Sequence, residues 1–370
     1  MLGRGGMGVV YRARQESLGG RKVALKVLPR GLAAQDPGYG ARFRREAKLA
    51  AGIHHPNLAE VYGCGEAEGL FYFAMRLVEG RTLQDALVAL HEQRNSAALS
   101  PSATGHVRRC VEIARDLAGA LAAIHQRGFV HRDVKPANVI LEGGAVGDHL
   151  SGRPVLVDFG LLRPVGPSDL TRSRTLLGTP AYASPESQLG REVDARADVF
   201  SLGSMLYDLL TVTRPEDRLP ATAGLPDVRS RNPAVDDRLA AVLDMAMQDR
   251  PQLRYADAQA MREDLDRHLG NRPVAAKPES WPGRVRLWAR RNPATASRIL
   301  IPAGLVALLL VAIGSWFAIV AMDLTACAAA GRRAQAQGDV IAAAASLRPL
   351  LQNQALITWM PWLADDLGDA

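Results

Sequence analysis

The sequence predicts an α+β fold: a small strand-rich part, then a larger helical part, then one long apolar helix. Three observations carry that expectation. Short alternating segments crowd the first 78 residues, a helical period takes over after Gly80, and residues 299 to 322 run without a charge. The composition, 48% hydrophobic and 22% charged over 370 residues, is that of a globular chain able to bury a sizeable core.

In chain order, Gly8 to Ala13 and Arg21 to Leu28 alternate about the turn SLGG and predict a hairpin. FRREAKLAAGI follows, with Phe43, Ala47, Ala50 and Ile53 on one helical face. Two more short strands are expected around Ala59 to Gly63 and Phe71 to Leu77. VRRCVEIARDLAGALAAIH carries Val107, Val111, Ala114, Leu117, Leu121 and Ile124 at a helix period. HEQRNSAALSPSATG and GGAVGDHLSGRP are polar and rich in turn formers, which predicts solvated surface loops. From Asn271 to Ser297 the chain turns proline- and arginine-rich, the composition of a linker.

The uncharged run ILIPAGLVALLLVAIGSWFAIVAM has 24 residues. As a helix it would be about 36 Å long, enough to cross a hydrocarbon layer of about 30 Å with some tilt. Most of the net charge of +7 lies just before it, in Arg284, Arg286, Arg290, Arg291 and Arg298, with no acidic residue between Trp281 and Arg298. Subtracting that cluster leaves no footprint for a polyanion, so no nucleic-acid partner is expected. Set against Asp323 on the far flank, the same arginines place the N-terminal side in the cytoplasm and residues 323 to 370 outside the cell membrane. The first residues show no basic stretch leading into an apolar one, so the span itself is expected to be the anchor. Cys64, Cys110 and Cys327 are far apart, with neither disulfide nor metal spacing, which suits a reducing compartment.

The chemistry is written in several motifs. Gly3, Gly5, Gly8 and Val10 form G-x-G-x-x-G-x-V, and VALK puts Ala24 and Lys26 on the next strand. HRDVKPAN supplies His131, Arg132, Asp133, Lys135 and Asn138, VDFG supplies Asp158, and GTPAYASPE runs from Gly178 to Glu186. Glycines let backbone N–H groups approach phosphate oxygens. A lysine gives a point charge that needs a counter-charge when buried, and oxygen donors suit hard Mg²⁺. In this order and spacing the motifs resemble the eukaryotic-type (Hanks-type) serine/threonine protein kinases of the bacterial receptor-like group.

The resemblance implies a two-lobed protein kinase fold over residues 1–270, with an N-lobe of 1–78 and a C-lobe of 79–270. A basic juxtamembrane linker (271–298), a transmembrane helix (299–322) and a short extracytoplasmic helical segment (323–370) follow. ATP and Mg²⁺ are the implied cofactors. Gly3, Gly5, Gly8, Val10, Ala24, Lys26 and Glu46 would line the nucleotide site, Glu46 as the partner of Lys26. Met75 matches the gatekeeper, and Arg76 to Val78 match the hinge whose backbone holds adenine, although the family often has an acid where Arg76 stands. Asp133 would orient the substrate hydroxyl and take its proton. Lys135 and Thr179 point to the serine/threonine branch, while Asn138 and Asp158 would hold the metal. His131 would be a packed structural residue, Glu186 and Arg254 a buried ion pair, and Asp198 the anchor of the catalytic-loop backbone.

Regulation is implied as well: a phosphate on Thr171 or Thr175, in a segment that also holds Ser168 and Ser173, would pair with Arg132 and order the segment. The implied partners are proteins bearing Ser or Thr, the lipid bilayer at 299–322, and a second copy for trans-autophosphorylation. Because only Met1 and Leu2 precede Gly3, the small sheet is expected to lack its first strand, which leaves the glycine loop tethered at one end. Either the true start lies upstream or ATP binds poorly. A pseudokinase or scaffold is therefore the alternative, and a small-molecule phosphotransferase ranks last.

Overall fold

A computed structural model of the chain describes residues 1–5, 8–16, 19–28, 51–95, 104–145, 147–158, 163–164, 181–214, 217, 225–278, 281–337, 341 and 345. The chain divides into two compact units, Met1–Arg291 and Asn292–Ala370.

The first unit opens with a five-stranded antiparallel sheet of order β1-β2-β3-β5-β4, built from Gly3–Gly5, Gly8–Gln15, Arg21–Val27, Leu70–Arg76 (β5) and Val61–Ala67 (β4). Against the expectation of a sheet without its first strand, the glycine motif itself supplies a three-residue one, whose register covers only Gly8 to Val10 of β2. Gly3 pairs with Val10 and Gly5 with Gly8, and the Leu2 N–H donates to the Val10 carbonyl at 2.7 Å. A ladder is made by backbone groups, so Gly-Arg-Gly can serve as a strand without an alternating side-chain pattern that would announce it. The expected hairpin about SLGG is there, in register from Val9 opposite Val27 to Gln15 opposite Arg21. The helix expected around FRREA, with Glu46, lies outside the described residues apart from its last three positions.

After β5 the chain makes β6 (Gly80–Thr82) and turns helical in α1 (Leu83–Asn95) and α2 (Thr104–His125). The predicted stripe of α2 is buried, from Val107 at 6% exposure to five positions at 0%. Ile113, Ala118 and Ala120 on its other faces are buried as well. The reason is that α2 is central, packed against both α4 (Ala195–Thr211) and α7 (Ala258–Leu269). Strands β7 (Phe129–Val130), β8 (Val139–Glu142), β9 (Arg153–Leu156) and β10 (Arg163–Pro164) lie between these helices in sequence. They form two small sheets, β10-β7 and β6-β8-β9. Short helices α3 (Pro185–Gln188) and α5 (Val228–Arg231), then α6 (Asp237–Ala246), complete the helical part.

Three segments differ from expectation. His91 to Asn95 continue α1 instead of forming a loop, because their polar groups cap the end of α4: His91 Nδ1 meets the Val212 carbonyl at 3.1 Å, and Arg94 donates to the Thr211 carbonyl at 2.8 Å. The connection from Gly143 to Pro154 is anchored and not merely solvated, since Arg109 donates to the carbonyls of Leu150 (2.9 Å) and Gly152, and Leu150 is buried. Within the expected linker, Trp281–Arg291 is a helix, α8.

The second unit contains α9, Pro293–Ala336, which runs through the whole uncharged stretch. Its apolar side chains are exposed, among them Leu308 at 71% and Val311 at 68%. Among the described residues, where side chains of that stretch are continuous only over 305–320, no helix is long and apolar enough to cross a membrane.

Candidate active site

Lys26 lies in the middle of β3, opposite Val10 on one side and Phe73 on the other. Ala24 and Met75 are paired neighbours on that sheet and both are buried, as is Val78 just beyond β5. Gly8 turns the chain between β1 and β2 with φ of 132°, where a Cβ would run into the Val27 carbonyl oxygen. Only glycine lets the backbone pass there. Lys26 is 2% exposed, and its ammonium contacts the Asp158 carboxylate. A buried ammonium requires such a partner. The structure places Asp158 in that role, whereas the expected partner, Glu46, lies outside the described residues.

The loop that begins at His131 is shaped by Asp198, in the first turn of α4 and fully buried. Its carboxylate accepts the backbone N–H groups of His131 (2.7 Å) and Arg132 (2.8 Å) and meets His125 Nε2 at 2.9 Å. Burial alone would raise the Asp198 carboxyl, but the hydrogen bond and charge of His125, then His131, hold it below the usual range. Arg132 adopts φ of 65° and Asp158 φ of 73°, a left-handed conformation that side-chain-bearing residues rarely keep unless the surroundings impose it. At Arg132 the imposing group is Asp198. His131 is 1% exposed, and burial drives its imidazole toward the neutral form against the pull of Asp198, Asp133 and Asp158. That suits a packed structural histidine.

Asp133, Lys135 and Asn138 form one cluster. Lys135 Nζ lies 2.8 Å from Asp133 Oδ2, and the Asn138 amide nitrogen donates to Asp133 Oδ2 at 2.9 Å and to the Asp133 carbonyl at 2.8 Å. Asn138 closes a 3₁₀ turn, Pro136–Asn138, that leads straight into β8. The Val157 N–H donates to the Asn138 carbonyl at 2.8 Å, so the residue before Asp158 is tied to Asn138 by its backbone. With the Asn138 nitrogen committed to Asp133, its oxygen is the atom available to a cation. No group of three or more His, Cys, Asp or Glu fit to hold a metal occurs among the described residues. An amide oxygen and one carboxylate nevertheless match Mg²⁺, which keeps several waters and leans on substrate phosphates.

Glu186 and Arg254 meet in a bidentate pair at 2.7 and 2.8 Å. Arg254 also donates to the carbonyls of Arg196, Gln248 and Asp249 and stacks over the Phe200 ring at 4.8 Å. Burial would raise the Glu186 carboxyl, and the Arg254 hydrogen bonds hold it below the usual range. Sequence reasoning missed His125, which no motif marks, and Asp264, a fully buried acceptor for the Tyr255 hydroxyl (2.9 Å) and the N–H groups of Ala275 and Ala276. It also missed Glu142. Ser168, Thr171, Ser173, Thr175 and Thr179 lie outside the described residues.

The protein kinase domain family matches residues 1–255. The chain is similar to the probable serine/threonine-protein kinase SCO3848 of Streptomyces coelicolor, 38% identical over 290 residues that cover 75% of this chain and 40% of that protein. PknJ of Mycobacterium tuberculosis is 40% identical over 271 residues, 70% of this chain and 42% of PknJ. PknB of Mycobacterium leprae is 38% identical over 298 residues, 75% of this chain and 43% of PknB. The chain thus spans about two fifths of the length of these relatives. Among solved structures, the Mycobacterium tuberculosis PknI kinase domain superposes with a TM-score of 0.54 at 31% identity, covering 72% of this chain and 92% of that one. With Lys26, Asp133, Asn138 and Asp158 carrying the family's motifs in one site, the chain belongs to the protein kinase family, among the Hanks-type serine/threonine kinases of bacteria.

Proposed function

We propose that the chain is a serine/threonine protein kinase that moves the γ-phosphate of ATP to protein hydroxyls. The observation that carries this reading is the convergence of Lys135 and Asn138 on the Asp133 carboxylate, at 2.8 and 2.9 Å, with the Lys26–Asp158 pair tied to the same loop through the Val157–Asn138 backbone bond. Asp133 accepts the substrate hydroxyl proton as that oxygen bonds the γ-phosphorus, the bond to the β–γ bridging oxygen breaks, and ADP carries that oxygen away. Lys135 offsets charge beside Asp133, and Lys26 holds the α- and β-phosphates. Asn138 and Asp158 would hold Mg²⁺, which when bound neutralises phosphate charge. The left-handed backbone at Arg132, fixed by Asp198, sets the loop before substrate arrives, so less of the barrier is spent on ordering it.

Membrane anchoring through 299–322, with the kinase unit in the cytoplasm, is supported by the uncharged run and the arginines before it. Phosphorylation of Thr171 or Thr175, with Arg132 as the cation that would pair with the phosphate and a second copy as the donor enzyme, is supported by the hydroxyls in that sequence. The scaffold alternative is not favoured by a chain that keeps Lys26, Asp133, Asn138 and Asp158.

The test is transfer of label from [γ-³²P]ATP to a generic protein substrate with and without Mg²⁺, followed by phosphoamino-acid separation. Mg²⁺-dependent phosphoserine and phosphothreonine are expected. Label confined to small molecules, or none, would overturn the reading.

A further inference from the structure

The connection from β5 to β6, residues 77 to 79, is bracketed by one residue of β8, Glu142. At its entry, Arg76 donates to Glu142 Oε1 at 2.7 Å. At its exit, Gly80 pairs in register with Glu142 itself, as β6 lies along β8. That approach is close enough for a Cβ on Gly80 to collide with the Leu141 carbonyl. Glu142 therefore grips both ends of a three-residue segment, one end by its carboxylate and the other by its backbone. Arg76 is otherwise fixed by the small sheet: it stands opposite Val23, and its N–H donates to the Glu60 carbonyl at 2.8 Å.

The other end of this arrangement is the metal site. Glu142 closes β8, whose first residue, Val139, directly follows Asn138. Strand β9, paired with β8 from Glu142 opposite Arg153 to Val139 opposite Leu156, leads within two residues to Asp158. One stiff hairpin thus carries the two residues read as metal donors at one end and the grip on the hinge at the other. The carboxylate is shared: Arg153 donates to Oε2 at 2.5 Å. Side-chain exposures of 22% for Arg76 and 25% for Glu142 shield the first pair from water, while Arg153 at 50% is on the rim. Burial would raise the Glu142 carboxyl, but the two arginines hold it below its usual range, so it is ionised at neutral pH.

We infer that Glu142 is a positioning residue for the nucleotide, fixing the hinge backbone at Arg76–Val78 relative to the hairpin that ends in Asn138 and Asp158. The inference rests on the kinase reading. Its effect falls on nucleotide affinity and not on the chemical step, because neither Glu142 nor Arg76 reaches Asp133.

The experiment measures KM for ATP, kcat and the ATP dissociation constant for the full chain and four variants: Glu142→Gln, Arg76→Gln, the double variant, and Arg153→Gln. Each of the first two should raise KM and the dissociation constant about three- to tenfold with kcat within about twofold, the range of a partly shielded charge pair. The double variant should be no worse than the poorer single one, since both remove the same bond. Arg153→Gln, which touches Glu142 but not the hinge, should stay near wild type and separates hinge positioning from general hairpin stability. Unchanged KM in both single variants, a fall in kcat instead, or an equal effect of Arg153→Gln would overturn the inference. A wild-type chain that binds ATP without turnover would sink the kinase reading alone, and the dissociation constants would still decide this one.

Discussion

Asp198 shows how much one buried carboxylate can hold. Its three partners are two backbone N–H groups and an imidazole, all with little water near them. Asp198→Ala would leave those donors unsatisfied and free the left-handed turn at Arg132. The expected loss is about 3 to 5 kcal/mol, read as a shift of the urea midpoint. A loss under about 1 kcal/mol would mean that the loop holds its shape without this anchor. Gly8→Ala is the matching test at the glycine loop. Positive φ and the Val27 carbonyl together predict about 1 to 3 kcal/mol of strain, which should appear as weaker ATP binding or a lower melting temperature. The residues in these motifs were legible because phosphotransfer chemistry demands particular groups at fixed spacing. Glu142 and His125 were not, since their partners lie 66 and 73 positions away in sequence and no local pattern encodes such a pairing.

Among elements, the period of α2 was readable because burial of one helical face writes itself into the sequence. Its remaining faces were buried by α4 and α7, a fact of packing that no single segment carries. Strand β1 and the tail of α1 escaped for a related reason: one is held by backbone pairing and the other by polar caps, so neither has an apolar signature. The tie between α3 and the turn before α7 was legible as SPE and a distant arginine. Glu186→Gln should cost about 3 to 5 kcal/mol, because it leaves the Arg254 guanidinium buried without its counter-charge. Equilibrium denaturation checks this, and a variant as stable as wild type would show that the backbone carbonyls around Arg254 suffice.

For the whole molecule, acid should destabilise in two stages. His131 is held neutral by burial, so below its ordinary value of 6.5 the unfolded chain takes up the proton first and stability falls as pH drops. Glu186 and Asp198 are held below their ordinary values of 4.5 and 3.8, so their contribution is complete above that range and is lost as pH falls through it. Urea midpoints should therefore decline gently from pH 7 to 5 and steeply below 4.5, and a midpoint that rose on acidification would contradict these assignments. Anchoring through 299–322 predicts that the full chain stays with membranes through an alkaline carbonate wash and leaves them only in detergent. Release by carbonate alone would remove the proposed span.

Phosphate transfer at Asp133 is what the proposed activity requires above all. Single-turnover transfer from saturating Mg·ATP, measured for wild type and Asp133→Asn with ATP affinity taken on the same samples, tests it most directly. The rate should fall by about 10² to 10⁴ while affinity stays within about twofold; equal rates in the two proteins would contradict it.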